Sequence, residues 1–446
     1  MKIKFCGGAE RVTGANYLVE VNNTKFLVDC GLIQGRNVCE LENFEPFIYQ
    51  AKEIDFVLIT HSHLDHIGRL PKLLSEGFNG YIYSTLPTKD LAQEILLDSQ
   101  KVINENCHFL GKDNFVTEEN IKKVFQRWRT VNYYEKLSFN NLEIVFFDAG
   151  HILGSAFIQV KGDNKILIFS GDLGNIDPLL RETDPLPEAD YLVLESTYGD
   201  RLHQDLMNRK DILEDIVEET LREKRTLIIP AFALERSQEV LYDLISLVEE
   251  KRVPEINIFL DTPLGIRILR IYEKYYDFLN EQAKNFFIRR NYENLSYLHI
   301  VEENDIKKIV DYPNPKIIIS SSGMLKGGKI INILKYFIDK PLTTILFVGY
   351  QPEGSLGREI LEGVKNISLD GEKYLVKAKI EKLLSYSGHK DQEGIIDWVS
   401  PQRKRLKTVF LVQGDEKAKI QLKIRLEDYL GIKTEIPKIN EEINLE

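Results

Sequence analysis

The chain has 446 residues, of which 43% are hydrophobic and 28% charged, and its formal net charge is −11 at pH 7. This composition is typical of a water-soluble globular protein, the apolar runs are too short to cross a bilayer, and the length predicts two domains or one domain with a large insertion. The negative charge argues mildly against nucleic-acid binding, although an enzyme needs only a local basic cleft.

The N-terminus and the cysteines indicate the compartment. The apolar part of residues 1–8 is too short for a signal peptide. The four cysteines form no Cys-x-x-Cys pair and no dense framework, so we expect reduced, mostly buried thiols. These observations predict a cytoplasmic protein that binds no membrane.

The N-terminal part of the chain has the pattern of short strands separated by turn residues. An amphipathic helix over residues 88–104 and an irregular, aromatic stretch near residues 125–134 interrupt these strands. The predicted strands cover residues 2–6, 16–21, 25–29, 55–60, 81–84, 142–147, 155–160, 165–170 and 191–194. This pattern predicts a strand-rich α/β layer.

Beyond about residue 201, helices and strands alternate. This rhythm predicts right-handed βαβ units on a parallel sheet. The predicted helices cover residues 208–224, 236–251 and 265–280, and the predicted strands cover residues 226–232, 256–261, 316–320 and 343–349. Because the short-strand style returns at about residue 359, we expect residues 204–358 to be an insertion between the two parts of one fold, residues 1–203 and 359–446.

Four potential metal ligands follow the predicted strand at residues 54–60: His61, His63, Asp65 and His66. Zinc accepts imidazole and carboxylate ligands. His61 and His63, two apart in an extended chain, face the same side, whereas a turn displaces Asp65 and His66. The spacing predicts two metal ions, although a polar surface loop can carry a similar motif.

Two later segments have a related form, in which a glycine-flanked His or Asp follows an apolar strand. His151 ends the segment 147–151, and Asp172 ends the segment 169–172. Both residues could project a ligand from a strand end. A single residue of either type in such a position is more often part of a turn or a cap.

Residues 29–31, residues 61–66, His151 and Asp172, in this order, resemble the four motifs of the metallo-β-lactamase superfamily. The resemblance implies an αββα sandwich, with two facing sheets, helices outside and zinc at the edge. It also implies the ligand sets: His61, His63 and His151 for one zinc, Asp65 and His66 for the other, Asp172 as the bridge, and Asp29 as a carboxylate that orients ligands.

Residues 195–203 and 385–391 resemble motifs A and B of the β-CASP ribonucleases, a branch that includes the endonuclease of eukaryotic polyadenylation. The resemblance implies a β-CASP insertion built on a parallel sheet flanked by helices. It further implies hydrolysis of phosphodiester bonds in single-stranded RNA by a zinc-activated hydroxide, in an endonuclease with Asp65, Glu195 and His389 as catalytic residues. A histidine held protonated by a carboxylate suits a general acid.

The segment 320–328 is a strand followed by small residues and a helix start. Backbone N–H groups and hydroxyls at Ser321, Ser322 and Gly323 could bind a substrate phosphate. A plain strand-to-helix turn explains the same pattern equally well.

The C-terminal motif of the family departs from its usual form in this chain. Gln413 stands where the β-CASP nucleases usually carry a histidine ligand of the second zinc. A neutral amide is a poorer zinc ligand than imidazole, so we expect a weak second site that a harder ion such as manganese could fill.

Two alternative functions stay open. The chain could be a small-molecule ester or thioester hydrolase of the same superfamily, but this reading leaves the domain-sized insertion unexplained. It could also be a catalytically impaired RNA-binding scaffold, which only Gln413 suggests. By resemblance we also expect a homodimer.

Overall fold

The computed structural model describes residues 1–35, 39–107, 115–203, 208–289, 292–301, 305–325, 327–352 and 354–446. The strands are β1 Lys2–Gly7, β2 Asn16–Val21, β3 Thr24–Val28, β4 Phe56–Leu58, β5 Tyr81–Thr85, β6 Trp128–Val131, β7 Lys136–Phe139, β8 Leu142–Asp148, β9 Ala156–Gly162, β10 Lys165–Phe169, β11 Tyr191–Glu195, β12 Thr226–Pro230, β13 Asn257–Asp261, β14 Leu298–Ile300, β15 Lys316–Ser320, β16 Thr343–Phe347, β17 Asn366–Leu369, β18 Glu372–Leu375, β19 Lys379–Lys382, β20 Thr408–Val412, β21 Thr434–Glu435 and β22 Glu442–Asn444.

The helices are α1 Leu64–Ile67, α2 Leu70–Ser75, α3 Leu86–Cys107, α4 Glu118–Arg127, α5 Arg209–Arg222, α6 Arg236–Glu249, α7 Pro263–Lys274, α8 Glu281–Arg289, α9 Ile306–Asp311, α10 Lys329–Phe337, α11 Leu356–Leu361, α12 Gln392–Val399 and α13 Glu416–Arg425. Within the described ranges, no helix is both long and apolar enough to cross a membrane.

The chain divides into two compact units. The first contains Met1–Asn175, Arg181–Leu202 and His389–Glu446, and the second contains Ile176–Leu180 and His203–Gly388. By this division residues 359–388 pack with the inserted part. The boundaries predicted after residues 203 and 358 stay predictions.

Two seven-stranded sheets form the first unit, in the orders β22-β1-β2-β3-β4-β5-β6 and β21-β20-β11-β10-β9-β8-β7. Alternating burial along β1 is typical of a strand with one face in a core. Apolar side chains of both sheets, among them Phe5, Phe26, Ile158 and Phe410, share one core cluster. The two sheets therefore pack face to face.

Helices cover the outer faces of both sheets. Leu96 of α3 shares a core cluster with Ile82 of the first sheet. Trp398 of α12 and Leu422 of α13 share another with Leu192 of the second sheet. The four-layer αββα arrangement expected from the sequence is confirmed.

The second unit contains a six-stranded sheet in the order β14-β13-β15-β12-β16-β19. Each pair of neighbouring strands is parallel. The central strands β12, β15 and β16 are buried along their whole length, which is typical of a parallel sheet covered on both faces. On one face, Ile330 and Leu334 of α10 pack with Ile318. The parallel sheet flanked by helices is confirmed.

The cysteines differ from the expectation that all four are reduced. Cys39 and Cys107 form a disulfide with their Cα atoms 5.4 Å apart, whereas Cys6 and Cys30 are free. The bonded pair is separated by 68 residues, and the fold, which linear spacing does not reveal, brings the two cysteines together.

Candidate metal centre

The predicted metal ligands lie in three segments of the first unit, each of which follows a strand. His61 and His63 follow β4, Asp65 and His66 lie in α1, His151 follows β8, and Asp172 follows β10. Local hydrogen bonds fix these segments: the hydroxyl of Ser155 accepts the backbone N–H of His151 at 3.0 Å. The fold therefore brings together side chains that are far apart in the sequence.

His61, His63, His151 and Asp172 form one group, in which one ligand atom of each residue lies within 4.8 Å of the others. Nδ1 of His63 lies 3.0 Å from Nε2 of His61 and 3.2 Å from Nε2 of His151. Oδ2 of Asp172 lies 3.3 Å from Nε2 of His61 and 3.5 Å from Nε2 of His151. Ligand atoms around a tetrahedral zinc lie about 3.3 Å apart. These four residues therefore fit a zinc ion.

The protonation states of His61 and His63 also suit metal binding. Burial, with the nearby charge of His66, lowers the pKa of His61 to about 4. Burial, followed by the charges of His61 and His151, also lowers the pKa of His63 well below its usual value. Both rings are therefore neutral at pH 7, which is the form that coordinates a metal.

Asp65 and His66 lie beside this group, next to Asp172. Nε2 of His66 lies 3.4 Å from Oδ1 of Asp172 and 3.9 Å from Oδ2 of Asp65. Burial opposes a charge on His66, but Asp172, Asp29 and Asp65 together raise the pKa of its ring well above the usual value. Burial also raises the pKa of Asp65, to about 6.

Gln413, which follows β20, contacts this second set of ligands. Its side-chain Nε2 lies 2.9 Å from Nε2 of His66 and donates to Oδ1 of Asp172 at 3.0 Å. The hydroxyl of Tyr17 donates to Oε1 of Gln413 at 3.3 Å, which orients the amide. The amide nitrogen, which cannot coordinate a cation, is thus directed at two of the predicted ligands of the second ion.

Asp29 contacts the ring of His66 and the adjacent residue Thr60. Its carboxylate accepts the backbone N–H and the hydroxyl of Thr60, both at 2.8 Å, and lies 2.7 Å from Nδ1 of His66. Such contacts fix the orientation of a ligand ring. The sequence did not reveal the part of Thr60, because a threonine at the end of a strand carries no distinguishing signal.

Glu195 and His389 meet in the first unit. Nδ1 of His389 lies 3.1 Å from both carboxylate oxygens of Glu195. Glu195 is fully buried and accepts the N–H of Leu173 at 2.7 Å, whereas the side chain of His389 is 22% exposed. The ring centres of His389 and His151 lie 4.6 Å apart. Glu195 and His389 therefore lie next to the candidate ligands.

The carboxylate determines the charge of His389. Burial lowers the pKa of the ring, but the charge of Glu195 and its hydrogen bond, with smaller contributions from Asp172 and Asp65, raise it to about 9. His389 is therefore protonated at neutral pH. A cationic ring beside the ligand group can donate a proton to a leaving oxygen.

The predicted phosphate-binding residues lie in the second unit, between β15 and α10. Ser321 and Ser322 are partly exposed and Gly323 is buried. The carbonyl oxygens of Ser321 and Gly323 accept hydrogen bonds from Ile330 and Gln351. The loop is thus fixed by its own hydrogen bonds, and its role stays a prediction.

Three families match successive parts of the chain. Residues 18–174 match a metallo-beta-lactamase superfamily domain, residues 237–360 a Beta-Casp domain, and residues 373–437 a Zn-dependent metallo-hydrolase RNA specificity domain.

Two relatives match nearly the whole of this chain. A ribonuclease of Thermus thermophilus is 36% identical over 95% of this chain and 95% of its own length. The transcription termination factor FttA of Methanosarcina mazei is 28% identical over 97% of this chain and 70% of its own length. Among solved structures, a protein of unknown function from Enterococcus faecalis V583 has the same fold, with a TM-score of 0.61, 10% identity, and coverage of 100% of this chain and 99% of that one.

Proposed function

Because the chain belongs to the β-CASP branch of the metallo-β-lactamase superfamily, we propose that it is a metal-dependent endoribonuclease that hydrolyses phosphodiester bonds of single-stranded RNA. The observation that carries the proposal is the contact of His389 with Glu195 beside the histidine group. The match to an RNA specificity domain and the ribonuclease relative support RNA as the substrate.

The residues of the first unit suit a zinc ion held by His61, His63, His151 and Asp172. Zinc would lower the pKa of water to about 7 and so supply a nucleophile at neutral pH. Asp65, at 3.9 Å from His66, would orient the attacking water, and Asp29 would hold the ring of His66 in place.

His389 would act as the general acid. Its Nδ1 faces Glu195, so Nε2 is the atom that would donate a proton to the departing oxygen of the RNA. Glu195 would keep the ring charged until that step. We further propose that Ser321, Ser322 and Gly323 bind a phosphate of the substrate. We also propose that the chain forms a homodimer and that it is located in the cytoplasm.

The preference for RNA over small esters can be tested directly. We expect the zinc-loaded protein to cleave end-labelled single-stranded RNA internally and to leave a thioester such as an acyl-glutathione unchanged under the same conditions. The same RNA annealed to its complement serves as the control for strandedness. Hydrolysis of the thioester without any cleavage of the RNA would establish the alternative function.

Replacing Gln413 by histidine should strengthen the second metal site. The amide nitrogen that now contacts His66 and Asp172 would be exchanged for an imidazole, which coordinates zinc well. We expect one tightly bound zinc in the wild type and two in Gln413→His, measured by atomic emission after dialysis against zinc.

Gln413→Asn is the matched control for this substitution. Gln413 has a left-handed backbone with φ +50°, which asparagine tolerates, and an asparagine keeps an amide at the position. Two tightly bound zinc ions in the wild type and in Gln413→Asn would refute the weak second site.

A further inference from the structure

A second group of potential ligands lies in the second unit, which contains Asp177, Glu235 and Glu239. One carboxylate oxygen of each residue lies within 4.8 Å of the others. Glu235 immediately precedes α6, and Glu239 lies in its first turn, four residues later and on the same face. Glu235 and Glu239 are only 3% and 1% exposed, so three carboxylates converge where little water reaches them.

One oxygen of this group is buried without a partner. Oε2 of Glu235 accepts the hydroxyl of Tyr272, but Oε1 has no hydrogen-bond partner among the described residues and is shielded from solvent. An unsatisfied polar atom in such a position costs folding free energy, and a bound ion is one partner that would remove this cost. The oxygen belongs to one of the three converging carboxylates.

The side chain of Asp177 is also fixed in place. Its Oδ1 accepts the backbone N–H groups of Leu179 at 2.6 Å and Leu180 at 2.8 Å. These two bonds orient the carboxylate. The carboxyl group of Asp177 also contacts those of Glu235 and Glu239.

The positive charge nearby does not balance three carboxylates. Arg236 contacts Glu239, and Arg209, which pairs with Asp243 at 3.2 Å, also interacts with Asp177 and Glu239. Two arginines therefore face four carboxylates. Burial, reinforced by Asp177, raises the pKa of Glu235 well above its usual value, and burial does the same for Glu239. A bound cation would favour the ionised form of both glutamates.

The backbone of Glu235 has an unusual, strained conformation. Its φ is +68° and the N–H of Arg236 bonds to the carbonyl of Leu234, so Glu235 occupies the centre of a tight turn that a non-glycine residue rarely adopts. Backbone strain of this kind often accompanies a ligand site. The carboxylate of this strained residue lies together with those of Asp177 and Glu239.

We propose that Asp177, Glu235 and Glu239 bind a hard divalent cation, Mg²⁺ or Mn²⁺, in the second unit. All three side chains offer oxygen, which these ions prefer, and none offers the nitrogen or sulfur ligands that zinc favours. The site would anchor the start of α6 to the segment Ile176–Leu180. It goes beyond the proposed function, because it concerns binding of an ion and not cleavage of RNA.

Mn²⁺ binding to the full-length, zinc-loaded protein tests the site. We expect electron paramagnetic resonance to detect a bound Mn²⁺ that Mg²⁺ displaces, in addition to any Mn²⁺ at the weak site beside Gln413. Asp177→Asn and Glu235→Gln should each weaken this binding at least about tenfold, because each removes one charged ligand. Both keep an oxygen for the hydrogen bonds of the native side chain, so we expect them to fold.

Glu250→Gln is the matched control, because Glu250 directly follows α6, pairs with Lys210 and lies outside the group. Its Mn²⁺ binding should equal that of the wild type. A wild type that binds no Mn²⁺ displaceable by Mg²⁺, or an ion that Asp177→Asn and Glu235→Gln retain at full affinity, would overturn the site, and the carboxylates would then share a proton. The loss of one Mn²⁺ from Asp177→Asn or Glu235→Gln, relative to the wild type and Glu250→Gln, decides the matter, because a Mn²⁺ beside Gln413 would remain in all four proteins. Either variant suffices if the other fails to fold, and neither result depends on ribonuclease activity.

Discussion

Replacing His389 by alanine is expected to slow RNA cleavage by about 10²- to 10⁴-fold, the range over which a general acid contributes. The bound zinc should remain, because the ring contacts Glu195 and packs beside His151 but does not belong to the group His61, His63, His151 and Asp172. Single-turnover cleavage of labelled RNA, with zinc content measured on the same samples, checks both parts.

His299→Ala is the control for this substitution. His299 lies on β14 in the second unit, where its ring bonds to Asn257, and no step assigned here uses it. Equal cleavage by His389→Ala and the wild type would exclude His389 as the general acid.

The pH profile tests the same residue without removing it. A general acid works only while protonated, so the rate should fall as pH rises through about 9, the value to which the pKa of His389 is raised. Glu195→Gln removes the main charge that opposes the effect of burial, so the pKa of His389 should drop and the fall should move to lower pH. An unchanged basic limb in Glu195→Gln would contradict the pairing.

Replacing His61 by alanine is expected to abolish both metal binding and cleavage. The ring nitrogen lost in this variant lies 3.0 Å from His63 and 3.3 Å from Asp172, so the group loses one of its four ligands. Three protein ligands and water can hold a catalytic zinc, but here the remaining set would lack a fully buried ring that fixes the geometry. Zinc content by atomic emission and cleavage of labelled RNA measure the loss.

Ser62→Ala is the matched control, because Ser62 lies between His61 and His63 and its buried hydroxyl has no hydrogen-bond partner in the described part of the chain. This variant should keep its zinc and its activity. One full equivalent of zinc in His61→Ala, with a circular dichroism spectrum like that of the wild type, would contradict the ligand assignment.

The sequence predicted the layers of the fold because burial leaves a regular signal. Continuous apolar runs such as residues 226–230 and 343–347 became central strands of the parallel sheet. Short edge strands left no such signal: β6 lies in the stretch that we expected to be irregular, and β22 pairs with β1 although its three residues are mostly exposed. Their partners, and not their own patterns, determine these strands.

The clustering of the candidate ligands could be predicted because metal chemistry restricts residue types and places them at strand ends. The structure brings His61, His63, His151 and Asp172 together from three separate loops. The residues around them could not be predicted, since the hydrogen bonds of Thr60 and Tyr17 depend on side-chain orientation. The acidic group in the second unit joins Asp177 to Glu235 and Glu239 across a long stretch of chain, which no spacing rule connects.

Gln413 shows what sequence and structure each contribute. Its position in the C-terminal motif predicted a weaker second site, from the poor affinity of an amide for zinc. The structure adds that the amide nitrogen itself contacts His66 and Asp172. The substitution therefore does more than remove a ligand, because it directs a hydrogen-bond donor at the place where the second ion would bind.

Cleavage of RNA before and after removal of the metal tests the proposed activity most directly. End-labelled single-stranded RNA is incubated with purified protein, with protein treated with a chelator and dialysed, and with the same protein after zinc is restored, beside His61→Ala. We expect cleavage by the untreated protein, none after chelation, recovery with zinc and none from His61→Ala at any zinc concentration. Cleavage that persists in both the chelated protein and His61→Ala would contradict a metal-dependent ribonuclease centred on these histidines.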